Sequence, residues 1–297
     1  MVNHSIRFAV IGGDLRQIKL MNILAKEGYL VNTLGLNKEK IESNVKLSND
    51  LREVISNSDI IIGPIPCSKD NKSLYSDYLD STVMLEDIFK NISENQVFIA
   101  GNISPEIKKI ADNYKFKIID LLERDDLAIL NAIPTSEGAI QYAMENSEIT
   151  IHGSKSLVLG FGRCGKVLAH KLKGLDTQLT VLARKSQDLA LIKSYGYNII
   201  RLENLENSIS NYDYIFNTIP FLILNKNVLS KVNKSALIID LASKPGGVDY
   251  IAAKELGIHA LLAPSLPGKV APLSAALIIY DSIFNLIRDM GVIIWIN

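Results

Sequence analysis

Short apolar, β-branched runs alternate with amphipathic segments along almost the whole 297-residue chain, and this rhythm restricts the fold more than any other feature. In the first half the runs are residues 8–11, 30–34, 60–62, 97–100 and 116–119. Helical patterns such as 15–27 and 105–114 lie between them. Apolar runs of strand length separated by helical stretches predict βαβ units and a mainly parallel sheet. Ser104-Pro105 is a helix start, a capping hydroxyl followed by proline at the first helical position. Five strands suit a flavodoxin-like domain over 1–132, read as the substrate or partner domain.

Residues 123–147 show no strand pattern. They read as a helix over 123–131, a break at Ile133-Pro134, and a second helix opened by Thr135 or Ser136. Glu137 then stands at the positive end of that second helix. The expected organisation is a linker helix over 133–150 and a complete Rossmann domain over 151–271, with strands at 156–159, 179–182, 198–200, 214–216, 237–239 and 260–262. A long apolar-rich helix from Pro272 has no strand after it, so 272–297 is expected to return to the first domain. The fold class is therefore α/β, two doubly wound parallel-sheet domains joined by linker helices, the C-terminal one Rossmann.

The loop Gly160-Phe161-Gly162-Arg163-Cys164-Gly165 follows a buried-type strand and opens a helix. In that setting the first glycine permits a sharp turn and the second lets backbone approach a pyrophosphate. The third allows close helix–strand packing, and the helix N-terminus offers N–H groups to the phosphates. A nicotinamide dinucleotide is expected there. An NAD site would carry Asp or Glu at the end of the next strand, whereas this chain has Ala183-Arg184-Lys185-Ser186. A guanidinium, an ammonium and a hydroxyl suit a 2′-phosphate, so the expected cofactor is NADP. By contrast, Ile11-Gly12-Gly13-Asp14 lacks a third glycine and carries an acid that repels phosphate. It reads as a tight strand–helix turn or as a substrate-facing loop.

In open α/β sheets, ligands lie beyond the carboxyl ends of the strands. That rule selects the loops 63–69, 217–220, 240–247 and 264–269. Thr218, Ile219 and Pro220 are expected beside the cofactor, with the first-domain loop facing the others across a cleft. Lys69 is either a surface lysine or a substrate contact, and Ser243 and Lys244 are either turn formers or site residues. Cys67 and Cys164 are expected to be inert thiols. With 32 basic and 32 acidic residues the formal charge is zero, and no basic tract supports a nucleic-acid partner. Two cysteines and four scattered histidines match no metal site and no disulfide framework, so a reducing, intracellular setting is expected. Neither a signal peptide nor a run of about 18 apolar residues is seen, so no membrane association is expected.

Several strings go beyond the general fold. Val10 to Gln17, Glu123-Arg124-Asp125-Asp126, Ile133 to Ile140, Ile151-His152-Gly153-Ser154, Leu159 to Arg163, and the stretches 240–247 and 262–272 resemble the dipicolinate synthase A subunits of spore-forming bacteria. The resemblance runs in order over nearly the whole chain. It implies the nicotinamide-dependent part of an enzyme that oxidises a cyclic lysine-pathway intermediate to pyridine-2,6-dicarboxylate. It further implies a partner, the flavoprotein-like B subunit, and the mother-cell cytoplasm during sporulation; a homo-oligomer is expected as well. A dicarboxylate substrate calls for cationic receivers, for which Arg124, Lys69, Lys244 and Lys269 are candidates. Thr135 and Ser136 could add hydrogen bonds. Lys69, Glu137, Ser243 and Lys244 are the expected catalytic groups. Two other readings stand beside this one: a non-catalytic cofactor-binding scaffold, and an enzyme resembling shikimate or alanine dehydrogenases. Polar strand-end loops favour an enzyme, because a scaffold has no need of them.

Overall fold

The computed structural model describes residues 6–37, 41, 45–243 and 245–291. The chain divides into two compact units, residues 1–128 with 272–297, and residues 129–271.

In the first unit β1 (Arg7–Ile11), α1 (Leu15–Lys26), β2 (Leu30–Leu34), β3 (Val45–Leu47), α2 (Leu51–Ser56) and β4 (Ile60–Ile62) come first. They are followed by α3 (Leu85–Phe89), β5 (Val97–Ala100), α4 (Pro105–Ala111) and β6 (Lys117–Asp120). The helix α5 (Asp125–Glu145) runs across the division between the units. The second unit continues with β7 (Lys155–Leu159), α6 (Arg163–Gly174), β8 (Gln178–Leu182), α7 (Ser186–Ser194), β9 (Asn198–Ile200) and α8 (Leu205–Ser208). It is completed by β10 (Tyr214–Asn217), α9 (Lys226–Leu229), β11 (Leu237–Asp240), α10 (Tyr250–Glu255), β12 (His259–Leu262) and α11 (Leu266–Val270). The final helix, α12 (Pro272–Asp289), belongs to the first unit.

Both sheets are parallel and six-stranded, ordered β3-β2-β1-β4-β5-β6 and β12-β11-β10-β7-β8-β9. Counted from the first strand of each, both follow the order 3-2-1-4-5-6 of dinucleotide-binding folds. The expected flavodoxin-like order of the first domain is therefore corrected. The difference comes from β3, whose three residues include the exposed Lys46 and carry too little apolar alternation to stand out.

Each sheet is buried on both faces, which is why its strands read as continuous apolar runs. On one face of the first sheet α12 packs beside α1, seating Ile279, Ile283, Phe284 and Ile287 against Phe8, Leu20 and Tyr29. Phe284 lies 5.4 Å from the Tyr29 ring, which meets Phe8 edge-on at 5.3 Å.

The expected break at Ile133-Pro134 does not occur; α5 is one helix with Pro134 inside it. Proline removes one N–H from the ladder. The next two side chains bond to carbonyls of the preceding turn, Thr135 Oγ1 donating to that of Asn131 and Ser136 Oγ to that of Ala132, each at 2.7 Å. Neither residue caps a helix, and Glu137 is mid-helix rather than at a positive end. Among the described residues no helix is long and apolar enough to cross a membrane.

Candidate cofactor-binding site

At the end of β7 the chain turns sharply at Gly160, with φ +97°, and its N–H donates to the Leu182 carbonyl at 3.0 Å. A Cβ there would lie 2.6 Å from Thr218 Oγ1. Gly162 is the N-cap of α6, has an ordinary φ of −76° and receives no side-chain cap. Added to Gly162, a Cβ would meet no atom of the described residues within 4 Å. Gly165 is the opposite case, because a Cβ would fall 2.2 Å from the Gly160 carbonyl oxygen. The three glycines thus divide the work as the spacing predicts: turn, open approach, and helix–strand contact. With no side-chain cap, the first-turn N–H groups of α6 face outward to an anion at the positive end of a 12-residue helix. These residues fit a dinucleotide pyrophosphate.

Phe161 is buried in the core, and Arg163 is exposed. Cys164 has its thiol pushed up to about 11 by desolvation, with the Ser136 hydroxyl acting in the opposite direction. The fully buried Cys67 is pushed up to about 12 for the same reason, so both thiols stay protonated at neutral pH. Arg184 and Lys185 stand exposed beyond β8, and Ser186 opens α7. No ion pair or side-chain hydrogen bond engages either cation among the described residues. The first acid on that helix, Asp188, points to α6 and pairs with Lys166 at 3.5 Å.

Thr218 Oγ1 donates to the Leu159 carbonyl at 2.8 Å, which seats the 218–220 turn on the glycine loop. That turn is held from below by Asn217, fully buried at the end of β10, whose amide donates to the Ile219 carbonyl and accepts from the Ile219 N–H, both at 3.1 Å. Asn217 also donates to Asp240 at 2.8 Å, another fully buried polar residue at the end of β11. Asn217 and Asp240 open two of the loops selected from the sequence but were given no role there, and Tyr250 lies outside those loops. The signal that marks the first two is a polar residue ending each of two buried runs, Tyr214–Asn217 and Leu237–Asp240.

The other expected site residues are spread over the two units. In the second unit Ser243 is exposed, with its carbonyl accepting from Gly246 N at 2.9 Å, while Lys244 lies outside the described residues. Glu137 is exposed and bound by Lys171 at 2.8 Å. Ser136 is fully buried, and it and Thr135 spend their hydroxyl protons on their own helix. Lys269 is exposed on α11. In the first unit Lys69 lies over the Tyr75 ring at 3.8 Å. Arg124 is held by two carboxylates, Asp126 and Asp289, each at 3.0 Å. A substrate carboxylate would have to compete with both.

The first unit has the same strand order, yet its glycine turn is covered by its own chain. Gly13 N donates to the Tyr75 carbonyl at 2.8 Å, and the Gly13 carbonyl accepts from Asp77 N at 2.9 Å. A Cβ at Gly12 would lie 2.7 Å from that same Tyr75 oxygen. Asp14 and Gln17 form a reciprocal capping box on α1, and the buried Arg16 pairs with Asp14 at 2.7 Å and donates to the Ile65 carbonyl. Ile11-Gly12-Gly13-Asp14 is therefore a closed strand–helix turn.

A doubly wound domain with an open glycine loop, an uncapped helix start and cations beyond the second strand defines a nicotinamide-dinucleotide-binding protein of the dehydrogenase type. Residues 132–245 match the D-isomer specific 2-hydroxyacid dehydrogenase, NAD binding domain family. Residues 7–122 match the family of N-terminal domains of the dipicolinate synthase A subunit. The chain is 34% identical over 287 residues to the dipicolinate synthase A subunit of Bacillus subtilis, covering 96% of this chain and 97% of that one. The crystal structure of the dipicolinate synthase A subunit from Bacillus halodurans superposes with a TM-score of 0.88 at 31% identity, covering 96% of this chain and 99% of that one. The chain belongs to the family of dipicolinate synthase A subunits. An L-alanine dehydrogenase shares the fold, with a TM-score of 0.66 at 12% identity over 96% of this chain and 90% of that one.

Proposed function

We propose that this chain is the NADP-dependent oxidoreductase subunit of a dipicolinate synthase, oxidising a dihydrodipicolinate-type intermediate to pyridine-2,6-dicarboxylate. The observation that carries the reading is the open glycine loop at Gly160–Gly165 within a chain that matches family members end to end. A dinucleotide held at the Gly160–Gly165 loop would supply the hydride acceptor for this oxidation, with the accompanying proton passing to a base and aromatisation of the ring driving the transfer.

The residues supply binding and orientation. The α6 N-terminus and Gly162 receive the pyrophosphate, and Arg184 with Lys185 receive the 2′-phosphate through charge-assisted bonds. The 218–220 turn faces the nicotinamide half of the cofactor, because in this fold each three-strand half serves one mononucleotide. Exposed ammonium groups at Lys69 and Lys269 are proposed receivers for substrate carboxylates. Ser243 and Lys244 are proposed for proton transfer, on a loop that Asp240 anchors. The relatives are named as one subunit of a synthase, which supports action with a further component; a flavoprotein-like second chain and work in the mother cell of a sporulating bacterium are proposed from the resemblance alone.

The test combines purified chain, NADP⁺ or NAD⁺, and freshly generated intermediate, with and without the second component. Dipicolinate and reduced cofactor are followed by absorbance. Turnover with NADP⁺ is expected, and none in any combination would overturn the reading. Arg184→Ala should weaken NADP⁺ binding by about tenfold or more and NAD⁺ binding by less than about twofold, the loss of one charge-assisted contact. Equal losses would remove the 2′-phosphate assignment.

A further inference from the structure

Asp240 is fully buried, and no lysine or arginine pairs with it among the described residues. Its carboxylate is surrounded by four donors. Oδ1 accepts from Asn217 Nδ2 at 2.8 Å and from Ala242 N at 3.1 Å; Oδ2 accepts from Gly247 N at 3.2 Å and from the Tyr250 hydroxyl at 3.1 Å. Taking a carboxylate out of water without a counter-ion is costly, and apolar residues of similar size would pack β10 against β11 without that cost. What a carboxylate adds is direction, since four donors from three separate segments converge on two oxygens.

Two of those segments are the loops beyond β10 and β11. Through Asn217 the carboxylate fixes the Ile219 backbone, whose neighbour Thr218 sits on Gly160 and Gly165 of the glycine loop. Beyond β11 it accepts from Ala242 and Gly247 and from Tyr250 at the start of α10, and so holds those three residues. The two loops also interlock, because a Cβ at Gly247 would lie 2.1 Å from Asn217 Nδ2 and 2.7 Å from the Ile219 carbonyl oxygen. The Tyr250 hydroxyl, raised by desolvation and then by Asp240, remains a protonated donor at neutral pH.

We infer that Asp240 is a positioning residue for the nicotinamide half of the cofactor, holding the 218–220 turn in one register with residues 242 and 247 against the glycine loop without touching the cofactor itself. This rests on the dinucleotide reading above. Replacing Asp240 by asparagine keeps the volume but sets an NH₂ group against donors. On the Oδ2 side Tyr250 can rotate to accept, but the Gly247 N–H cannot; on the Oδ1 side both neighbours are N–H groups. The loops lose their common anchor while β7, β8 and the glycine loop keep theirs.

The experiment measures binding to the full-length chain by calorimetry, with NADP⁺, NAD⁺ and ADP as probes. Asp240→Asn should weaken both dinucleotides by about tenfold, and ADP, which lacks the nicotinamide half, by less than about twofold. A residue that only supports the fold would move all three together. Tyr250→Phe removes one of the four donors from a residue at the surface, and should weaken the dinucleotides by about threefold with ADP again unchanged. It decides the matter should the Asp240 variant fail to fold. Unchanged dinucleotide affinity in a folded variant, or parallel losses for ADP, overturns the inference alone. A wild-type chain that binds neither dinucleotide overturns the cofactor reading, and this inference falls with it.

Discussion

At the scale of single residues the glycine loop separates two requirements that a sequence pattern merges. Gly162 has an ordinary φ and no atom of the described residues within 4 Å of where a Cβ would go, so the protein itself does not need glycine there. Gly165 has the Gly160 carbonyl 2.2 Å from its missing Cβ, so the fold does need glycine. Gly162→Ala should therefore cost less than about 1 kcal/mol of stability, yet weaken dinucleotide binding by about tenfold or more, because the methyl occupies the pyrophosphate's path. Gly165→Ala should lose roughly 1–3 kcal/mol from displaced backbone as well as binding. Thermal melts and calorimetry on the two variants check the contrast; equal stability losses would refute it. The pattern was legible because glycine spacing encodes both constraints. The Asn217–Asp240 pair was not, since a polar residue at a strand end looks like a loop residue until the neighbouring strand end buries it.

At the scale of elements, an apolar run as short as Ile60–Ile62 was visible, whereas β3, with the exposed Lys46 between two half-buried residues, was not. Period-2 alternation cannot be recognised over Val45-Lys46-Leu47. Pro134 misled for a physical reason. Its missing N–H removes one bond of the ladder and is a local signal, whereas α5 runs on through it, with Ala139 and Ala143 farther along buried in the core of the second unit. The start of α5 is tied to the end of α12 by charge. Asp126 is held down to about 2, mainly by hydrogen bonding to Arg124, with the Leu127 N–H and Asn285 adding to it. Arg124 in turn reaches Asp289 at 3.0 Å. A carboxyl lowered from 3.8 on folding contributes stability that is present above the unfolded value and lost as pH falls toward 2. In acid titrations of the melting temperature, wild type should therefore lose stability more steeply below about pH 4 than Asp126→Asn, which lacks that increment throughout. Parallel curves would show that the pair does not couple to folding.

At the scale of the whole molecule, two sheets of identical order carry two glycine turns with opposite fates. A sequence comparison of the turns registers only that one has three glycines and the other two. The packed structure shows how the second unit's turn stays open. Among the described residues no side chain caps α6, and none lies within 4 Å of a Cβ at Gly162. In the first unit Asp14 and Gln17 cap α1, and residues 75–77 bond directly to Gly13. A phosphate there would have to break the Gly13–Tyr75 and Gly13–Asp77 bonds and sit beside the Asp14 carboxylate, which repels it. Each lost buried bond costs about 1 kcal/mol or more, with desolvation and repulsion added, while the α6 site asks for no such displacement. Saturating calorimetric titration should accordingly give one dinucleotide per chain, not two. Gly162→Asp, which places an acid at the α6 N-terminus as Asp14 does at α1, should abolish that binding completely. One equivalent still bound by this variant would mean that residues 74–77 yield to the ligand, and that the strand order alone decides where a dinucleotide binds.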